Sequence, residues 1–241
     1  MLLEAGLSKH AFFGRKGGFS RRNELNLACN SWDLKSNVEK NFDLVRGIFG
    51  IKKESLFVLN QVHGSEIFSY SPHTPVSVTI TADAFLTRCK GKGAVIRTAD
   101  CIPLIFFNRL LSTLILVHSG WRGVLAGIPE KALAIFTKKP SDCLVALGPS
   151  ICANCFEVKK DVLEKFQNNY NAKHLQKIII SNDRGYYIDL KKSVAERLLN
   201  LGLPEKNIDI SSHCTVCQHM DFFSYRVEGE NRGSNGSLAI L

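Results

Sequence analysis

The sequence predicts a layered α/β (α+β) fold with mixed β-sheets, formed by one domain over residues 1–241. Short apolar runs rich in Val, Ile, Leu and Phe, typical of buried strands, alternate only irregularly with segments of helical spacing. The chain is long enough to bury a sizeable core, and no repeat, low-complexity tract or linker divides it. It has no glycine-rich dinucleotide fingerprint after a strand and no Walker-type loop, which disfavours both of those nucleotide-binding folds.

The strands are predicted from their apolar, β-branched and aromatic content. In chain order they are Leu56–Asn60, Ala94–Arg97, Ile102–Phe107, Leu114–His118, Leu144–Leu147, Lys177–Ser181, Tyr186–Leu190, Ile208–Ser211 and Ser237–Leu241. The Ser, Pro and Thr residues of Ser69–Thr79 predict a surface loop among them.

Helices are predicted where apolar residues recur at three- and four-residue intervals. Ser36 is the expected N-cap of the first helix, with Glu39 three residues later. The others are expected at Val124–Phe136, Asp161–Gln167 and Ser193–Leu201. A Gly-Ile-Pro sequence at 127–129 predicts a kink in the first turns of the second helix.

Composition indicates an ordinary water-soluble protein, with 45% hydrophobic and 22% charged residues. No segment reaches the roughly 18 uninterrupted apolar residues of a spanning helix, and the first 18 residues lack signal-peptide features. We therefore expect a cytoplasmic protein without a membrane partner. In a reducing compartment its eight cysteines are expected to be free thiols, buried small residues or metal ligands.

The net charge of +9 comes from 31 Lys and Arg against 22 Asp and Glu. These cations occur in short, scattered pairs, whereas a nucleic-acid site would concentrate them in a stripe with interleaved aromatics. We interpret them as solvated faces and expect no nucleic-acid partner. A positive field still favours small anionic substrates such as phosphate.

Three segments each bring one strong zinc ligand to the end of a predicted strand. The ligands are His63 in Gln-Val-His-Gly, Cys101 in Thr-Ala-Asp-Cys, and His118 in His-Ser-Gly-Trp-Arg-Gly. Two imidazoles and one thiolate leave a tetrahedral zinc one open position, as in catalytic sites. Because the ligands are far apart in sequence, spacing alone does not establish the site.

Several other residues are candidates for the same chemistry. Arg122, in a glycine-flanked turn that leads into a helix, suits phosphate binding, or equally a structural ion pair. Asp100 is a candidate to orient a ligating imidazole, or could instead cap a turn. Asp83 is another candidate for the same orienting role or for general acid-base work. Glu157 is a further candidate acid, although a lone carboxylate is more often solvated or salt-bridged.

Two further cysteine pairs have zinc-like spacing, Cys152-x-x-Cys155 and Cys214-x-x-Cys217, and together they could form a closed structural site. About 58 residues separate the pairs, against about 15–20 in compact zinc modules. The spacing therefore favours buried or loop thiols.

A series of motifs in fixed order resembles the YfiH-like laccase-domain family, also described as multi-copper polyphenol oxidases and as purine nucleoside phosphorylases. The motifs are GRKGG at 14–18, LNL at 25–27, QVHG at 61–64, ADAFLT at 82–87, RTADC at 97–101, HSGWRG at 118–123, GPSIC with CFEV at 148–158, and FFSYR at 222–226. The similarity covers nearly the whole chain. Two departures are Ser119, where the family usually has Ala, and the extra Cys217 and His219 before FFSYR.

The resemblance implies that His63, Cys101 and His118 are metal ligands, with zinc favoured over copper. It implies phosphorolysis of adenosine, inosine, guanosine and methylthioadenosine, adenosine deamination as a second activity, and a link to editing of peptidoglycan precursors. Arg15 and Asn26, in the amino-terminal motifs, become candidates with Arg122 for binding substrate or phosphate. Asp83, Arg122 and Glu157 are the catalytic candidates. The implied fold is a compact layered α/β domain related to a group with Cys-His hydrolase sites.

Other classes of function remain open at the level of sequence. A cysteine hydrolase would use Cys101 as nucleophile, His118 or His63 as base and Asp100 to orient the base. A non-enzymatic binding module would use the positive charge. A copper polyphenol oxidase is disfavoured, because seven histidines are few for a multicopper centre and no His-x-His pair occurs. We expect a monomer or a small homo-oligomer.

Overall fold

The computed structural model describes residues 1–28, 33–75, 79–136 and 139–241. Its strands are β1 (Lys9–Phe13), β2 (Lys16–Ser20), β3 (Leu56–Asn60), β4 (Ile67–Ser69), β5 (Ile80–Thr81), β6 (Ala84–Thr87), β7 (Gly93–Thr98), β8 (Ile102–Asn108), β9 (Thr113–Ser119), β10 (Leu144–Leu147), β11 (Glu157–Val158), β12 (Ile179–Asn182), β13 (Gly185–Ile188), β14 (Ile208–Ile210) and β15 (Asn235–Ile240). Its α-helices are α1 (Lys35–Phe49), α2 (Trp121–Leu125), α3 (Ile128–Ala134), α4 (Lys160–Asn169), α5 (Ala172–Ile178), α6 (Leu190–Asn200) and α7 (Tyr225–Glu228).

Two large sheets and one small sheet organise the described residues. The first large sheet has the order β1-β15-β7-β3-β5 and the second has the order β14-β10-β8-β9-β6-β4. Each large sheet contains both parallel and antiparallel pairs, such as β3 parallel to β7 and β8 antiparallel to β9. A small sheet, β11-β13-β12, lies apart from these two. The prediction of mixed sheets is therefore confirmed.

The core shows how the sheets are layered. On β8, Leu104 and Phe106 pack among the residues of α3 and α6, whereas Ile105 and Phe107 pack against the first sheet. This alternation buries both faces of the strand, which explains its continuous apolar run. Helix α1 covers the outer face of the first sheet, where Val45 joins the cluster that contains Val95. The predicted layered architecture is confirmed: helix, sheet, sheet and helices.

The predicted helix Val124–Phe136 is wrong as a single element. Helix α2 begins earlier and ends at Leu125, and α3 begins at Ile128. Gly127 adopts a left-handed φ of 75° between them, and Pro129 lies in the first turn of α3, where its missing N–H costs nothing. The predicted kink is thus a complete break.

Other predicted boundaries were wrong as well, among them Leu190, which was expected to end a strand but is the first residue of α6. Helix α1 begins at Lys35 after Leu34, so Ser36 lies in its first turn and does not cap it. The first two residues of the predicted strand Lys177–Ser181 belong to α5, a helix that was not predicted from the sequence. Its N-cap is Asn171, whose side chain accepts the backbone N–H of His174. Within the predicted loop at Ser69–Thr79, residues 76–78 lie outside the described residues.

The described part of the chain has no helix that is both long and apolar enough to span a bilayer.

Candidate metal centre and cleft

The strand topology brings the three predicted ligands together at one edge of the two large sheets. His63 follows β3, and Cys101 lies between β7 and β8; because β3 and β7 are parallel, these two segments leave the first sheet side by side. His118 lies near the end of β9, and its backbone pairs with Pro103 at the start of β8. Cys101, where the chain passes from one sheet to the other, therefore meets both imidazoles.

The ligand atoms of His63, Cys101 and His118 all lie within 4.8 Å of one another. His63 is exposed, Cys101 is half-buried and His118 is buried, so the group opens to solvent on one side. The two imidazole rings are 4.7 Å apart and nearly perpendicular, which allows one nitrogen of each to point at a common centre. These residues could hold a metal ion with one position left open.

A buried carboxylate organises this group. Asp83 has no exposed surface, and its Oδ1 lies 2.7 Å from Nδ1 of His118. Its two oxygens also accept the backbone N–H groups of Val62, His63 and Gly64, at 3.3, 2.9 and 2.6 Å. Because Nδ1 of His118 faces the carboxylate, Nε2 is left for a metal, the arrangement usual for ligating histidines.

The backbone around the ligands is strained and tightly packed. His63 and Asp100 have φ angles of 60° and 83°, a region that residues other than glycine rarely adopt. A Cβ at Gly120 would lie 2.8 Å from Cys101 Sγ and 3.2 Å from His63 Cδ2. Only glycine fits there without displacing two ligands, and this close cradle fits a metal held between them.

The electrostatics favour separated charges even without a metal. Burial alone would raise the pKa of Cys101, but the adjacent His118 and His63 lower the pKa of this thiol to about 6. Burial alone would lower the pKa of His118, but the Cys101 thiolate and Asp83 raise the pKa of this imidazole to about 9. Between these values the pair is a thiolate beside an imidazolium, and a bound cation would replace that proton.

Two of the three ligands, His63 and Cys101, line a cleft of about 400 Å³, and His118 lies buried behind them. Aromatic rings of Trp121, Phe156 and Tyr225 line it, together with Arg122 and Glu230. The guanidinium of Arg122 lies over the Trp121 ring at 4.4 Å. Among the described residues, Arg122 has no carboxylate within ion-pair distance. Its charge therefore remains available in the cleft.

Asp100 lines the cleft, and among the described residues neither imidazole is a hydrogen-bond partner of its carboxylate. Its carboxylate accepts the Thr215 hydroxyl at 2.6 Å and the backbone N–H of Arg226 at 2.7 Å. The Arg226 guanidinium in turn donates to the carbonyls of Cys155 and Glu157, at 3.0 Å each. The suggestion that Asp100 orients a histidine is wrong, because Asp83 occupies that position.

Three candidates from the sequence, Arg15, Asn26 and Glu157, do not line the cleft. Arg15 forms ion pairs with Glu24 and Glu228, at 2.6 and 2.8 Å. Asn26 is fully buried and bonds to neighbouring backbone groups. The exposed Glu157 lies on the edge strand β11. Sequence reasoning gave no role to Tyr225, Arg226, Glu230 or Arg232 in this cleft, although FFSYR contains the first two.

The chain is similar to known proteins at the levels of family, sequence and structure. The profile of the family described as multi-copper polyphenol oxidoreductase laccase matches residues 9–241. A purine nucleoside phosphorylase YfiH of Shigella flexneri is 33% identical over 202 residues, 84% of this chain and 80% of that protein. An adenosine deaminase RL5 of an unknown prokaryotic organism is 33% identical over 156 residues, 63% of this chain and 59% of that protein.

The crystal structure of the hypothetical protein YfiH of Bacillus licheniformis has the same fold. It superposes with a TM-score of 0.89 at 24% identity, covering 96% of this chain and 92% of that one. At this identity the likeness establishes the fold alone. The sequence relatives carry the names of enzymes acting on purine nucleosides.

Replacing Asp83 with asparagine should lower metal affinity by about 10- to 100-fold. In the asparagine variant, one carboxylate oxygen becomes an NH₂ group, which cannot accept hydrogen bonds from the backbone N–H groups of 62–64. The neutral amide also binds Nδ1 of His118 less strongly than the charged carboxylate does. Competition with a chromogenic chelator measures the affinity, and circular dichroism checks the fold. The control is Asp161→Asn, at an exposed aspartate on α4. Equal affinities in Asp83→Asn and the unchanged protein would contradict the organising role of this carboxylate.

Gly120→Ala should reduce metal content and destabilise the fold by about 1–3 kcal/mol, because its methyl group collides with Cys101 and His63. Metal analysis and denaturant unfolding provide the two measurements. Gly47→Ala on α1 is the matched control, since its methyl group meets nothing within 4 Å. Full metal content in Gly120→Ala would show that the cradle tolerates a side chain.

Proposed function

The chain belongs to the multi-copper polyphenol oxidoreductase laccase family, and on that premise we propose that it is a zinc-dependent purine nucleoside phosphorylase. The substrates we propose are adenosine, inosine, guanosine and methylthioadenosine, with residues 1–241 as one catalytic unit. One observation carries the proposal: His63 and Cys101 of an open Cys-His-His group line a cleft that offers both an available arginine and aromatic faces. A nucleoside and phosphate need these features together.

Zinc is the metal we propose for His63, Cys101 and His118. One thiolate and two neutral imidazoles suit zinc, whereas multicopper oxidation needs more histidine ligands than this group offers. When bound, zinc would supply Lewis acidity and a template for phosphate or the ribose hydroxyls. The protein's part is to hold the ligands: Asp83 fixes the His118 ring, and the 62–64 turn presents His63.

Arg122 is the residue we assign to phosphate. Its planar guanidinium can bind two phosphate oxygens at once, and stacking on Trp121 holds it against the cleft. Helix α2 has only five residues, so its dipole adds less than a longer helix would. Phosphate held there can attack C1′ of the ribose while the bond from C1′ to the purine nitrogen breaks.

The departing purine needs a stacking surface and a proton or hydrogen bond. Trp121, Phe156 and Tyr225 provide apolar faces. Glu230 is better placed than Glu157 to act on the base, because Glu230 lines the cleft and its carboxylate lies 3.1 Å from the Tyr225 hydroxyl. Asp83, enclosed behind His118, is assigned a positioning role.

Adenosine deamination at the same site is a second proposed activity. It is supported by the 33% identity with adenosine deaminase RL5. A metal held by His63, Cys101 and His118 would supply the Lewis acid that purine deamination requires, and Glu230 offers a carboxylate that can move the proton.

A cysteine hydrolase is the competing function, and one observation favours it. Asp83, His118 and Cys101 form a carboxylate–imidazole–thiol series, with 2.7 Å between the first two, and the pKa of Cys101 is lowered to about 6. His63 weighs against this alternative, because a catalytic Cys-His pair needs only one imidazole and both converge on this thiol.

The primary assay measures base release from inosine with and without phosphate. We expect hypoxanthine and ribose 1-phosphate, and Arg122→Ala should raise the phosphate KM by about 10- to 100-fold, the effect of losing a charged hydrogen bond worth about 1.5–3 kcal/mol. Arg109→Ala is the control, an exposed arginine in the β8–β9 turn far from Cys101 along the strand. Equal base release without phosphate would refute phosphorolysis.

Alkylation with mass mapping separates the metal site from the hydrolase. In zinc-loaded protein we expect Cys101 to be protected. After chelation it should react with a pH midpoint near 6, since the reactive thiolate forms as pH rises through its lowered pKa. Activity should fall with the metal. A substrate adduct on Cys101 in metal-free, fully active protein would establish the hydrolase instead.

A further inference from the structure

A second group of metal ligands lies outside the site described above. The four sulfur atoms of Cys152, Cys155, Cys214 and Cys217 all lie within 4.8 Å of one another. The sequence separation favoured independent thiols, and the structure corrects that expectation. Tetrahedral zinc with sulfur at about 2.3 Å has neighbouring sulfurs about 3.8 Å apart, close to the 3.5 Å between Cys155 and Cys217.

The sheet explains why distant pairs converge. Strands β10 and β14 are parallel neighbours, so their carboxyl ends point in the same direction. The pairing continues beyond the strands: Ser150 forms a bridge with Cys214, and its carbonyl accepts the N–H of Thr215 at 3.2 Å. Each Cys-x-x-Cys follows one of these strands and reaches the other across this bridge.

The backbone around the cluster is arranged for a thiolate. Cys214 Sγ accepts the N–H of Cys217 at 3.4 Å, within its own Cys-x-x-Cys, and the N–H of Cys152 at 3.3 Å, across the two pairs. Hydrogen bonds from backbone N–H groups stabilise the charged form of such a sulfur. The buried ammonium of Lys191 bonds to the carbonyls of Ser211 and His213, beside Cys214, where it offsets negative charge.

We propose that Cys152, Cys155, Cys214 and Cys217 form a closed, structural zinc site with four thiolate ligands. Four sulfurs leave a tetrahedral zinc no open position, so this site takes no substrate. Iron is the other metal that prefers four sulfurs in this geometry, and the test distinguishes it. A disulfide does not fit, because bonded sulfurs lie about 2.05 Å apart and these cysteines are free.

The site would brace one wall of the cleft. Cys155 is followed directly by Phe156, which lines the cleft. The carbonyl of Cys155 accepts a hydrogen bond from the guanidinium of Arg226. Loss of the zinc would remove one link between the 150–158 loop and the segment leading to Tyr225 and Arg226, and would leave the hydrogen bonds between them. We therefore expect the site to stabilise substrate binding indirectly, without contact to substrate.

Metal counting on reduced protein, purified after growth with zinc, tests the proposal. Native mass spectrometry and elemental analysis should find two zinc ions per chain. The double variant Cys155→Ser/Cys217→Ser should retain one, and the control Cys89→Ser should retain two, because Cys89 lies outside both groups. A zinc count unchanged by the double variant, or iron in place of zinc, would overturn the proposal.

The proposed catalytic zinc can fail independently of this one. His63→Ala should remove one zinc and leave the four-thiolate ion, and the double variant should do the reverse. If His63→Ala changes nothing while the double variant loses an ion, the proposed function is weakened and the structural site stands. Cobalt substitution adds a signature, because sulfur-to-cobalt charge-transfer absorption scales with the number of thiolates: four here, one at the catalytic group.

Chemical protection keeps the proposal falsifiable if the double variant does not fold. In unmodified protein, the exposed Cys217 should react with an alkylating reagent on the order of tenfold more slowly before chelation than after it. Cys152, Cys155 and Cys214 should become reactive together with it. Equal rates at Cys217 before and after chelation would overturn the site.

Discussion

The buried carboxylate of Asp83 is the interaction on which the geometry of the candidate centre depends. It accepts three backbone N–H groups from 62–64 and faces Nδ1 of His118, so one side chain fixes segments from both large sheets. A hydrogen bond to a charged group contributes about 1.5–3 kcal/mol, which is enough to hold His63 at its unfavourable φ of 60°. The same carboxylate settles which nitrogen of His118 is available.

The centre can be strained because the layers around it are rigid. β8 and β9 are buried along their whole length, and the helices and the first sheet cover their two faces. Strand ends held this firmly can present Cys101 and His118 in one arrangement, and Gly120 lets the turn close over them. Precision at the ligands thus comes from packing several residues away.

The Cys-His-His group and the four-cysteine group differ in the way that an open metal site differs from a closed one. The first has three donors, an exposed member and a cleft in front of it, which suits exchange of substrate. The second has four sulfurs within 4.8 Å of one another beyond the ends of two parallel strands, and Cys214 Sγ accepts two backbone N–H groups, which suits a structural link. The two are connected through Arg226, whose main chain bonds to Asp100 beside Cys101 and whose side chain bonds to the Cys155 carbonyl.

The sequence by itself predicted nine of the fifteen described strands, the mixed layered class and the three candidate ligands of the first group. These depend on local properties. The apolar run of Leu114–His118 needs two buried faces, Cys101 directly precedes such a run, and His63 follows one after two residues. Helix boundaries at Ser36 and Gly127 were less accessible, since neighbouring packing and a left-handed glycine decide them. Only the tertiary structure decided which carboxylate faces His118 and that Arg15 forms ion pairs with two glutamates. It also decided that two cysteine pairs, separated by 58 residues in the sequence, come together. The physical reason is that strand pairing sets these distances, and β10 and β14 become neighbours only when the sheet forms.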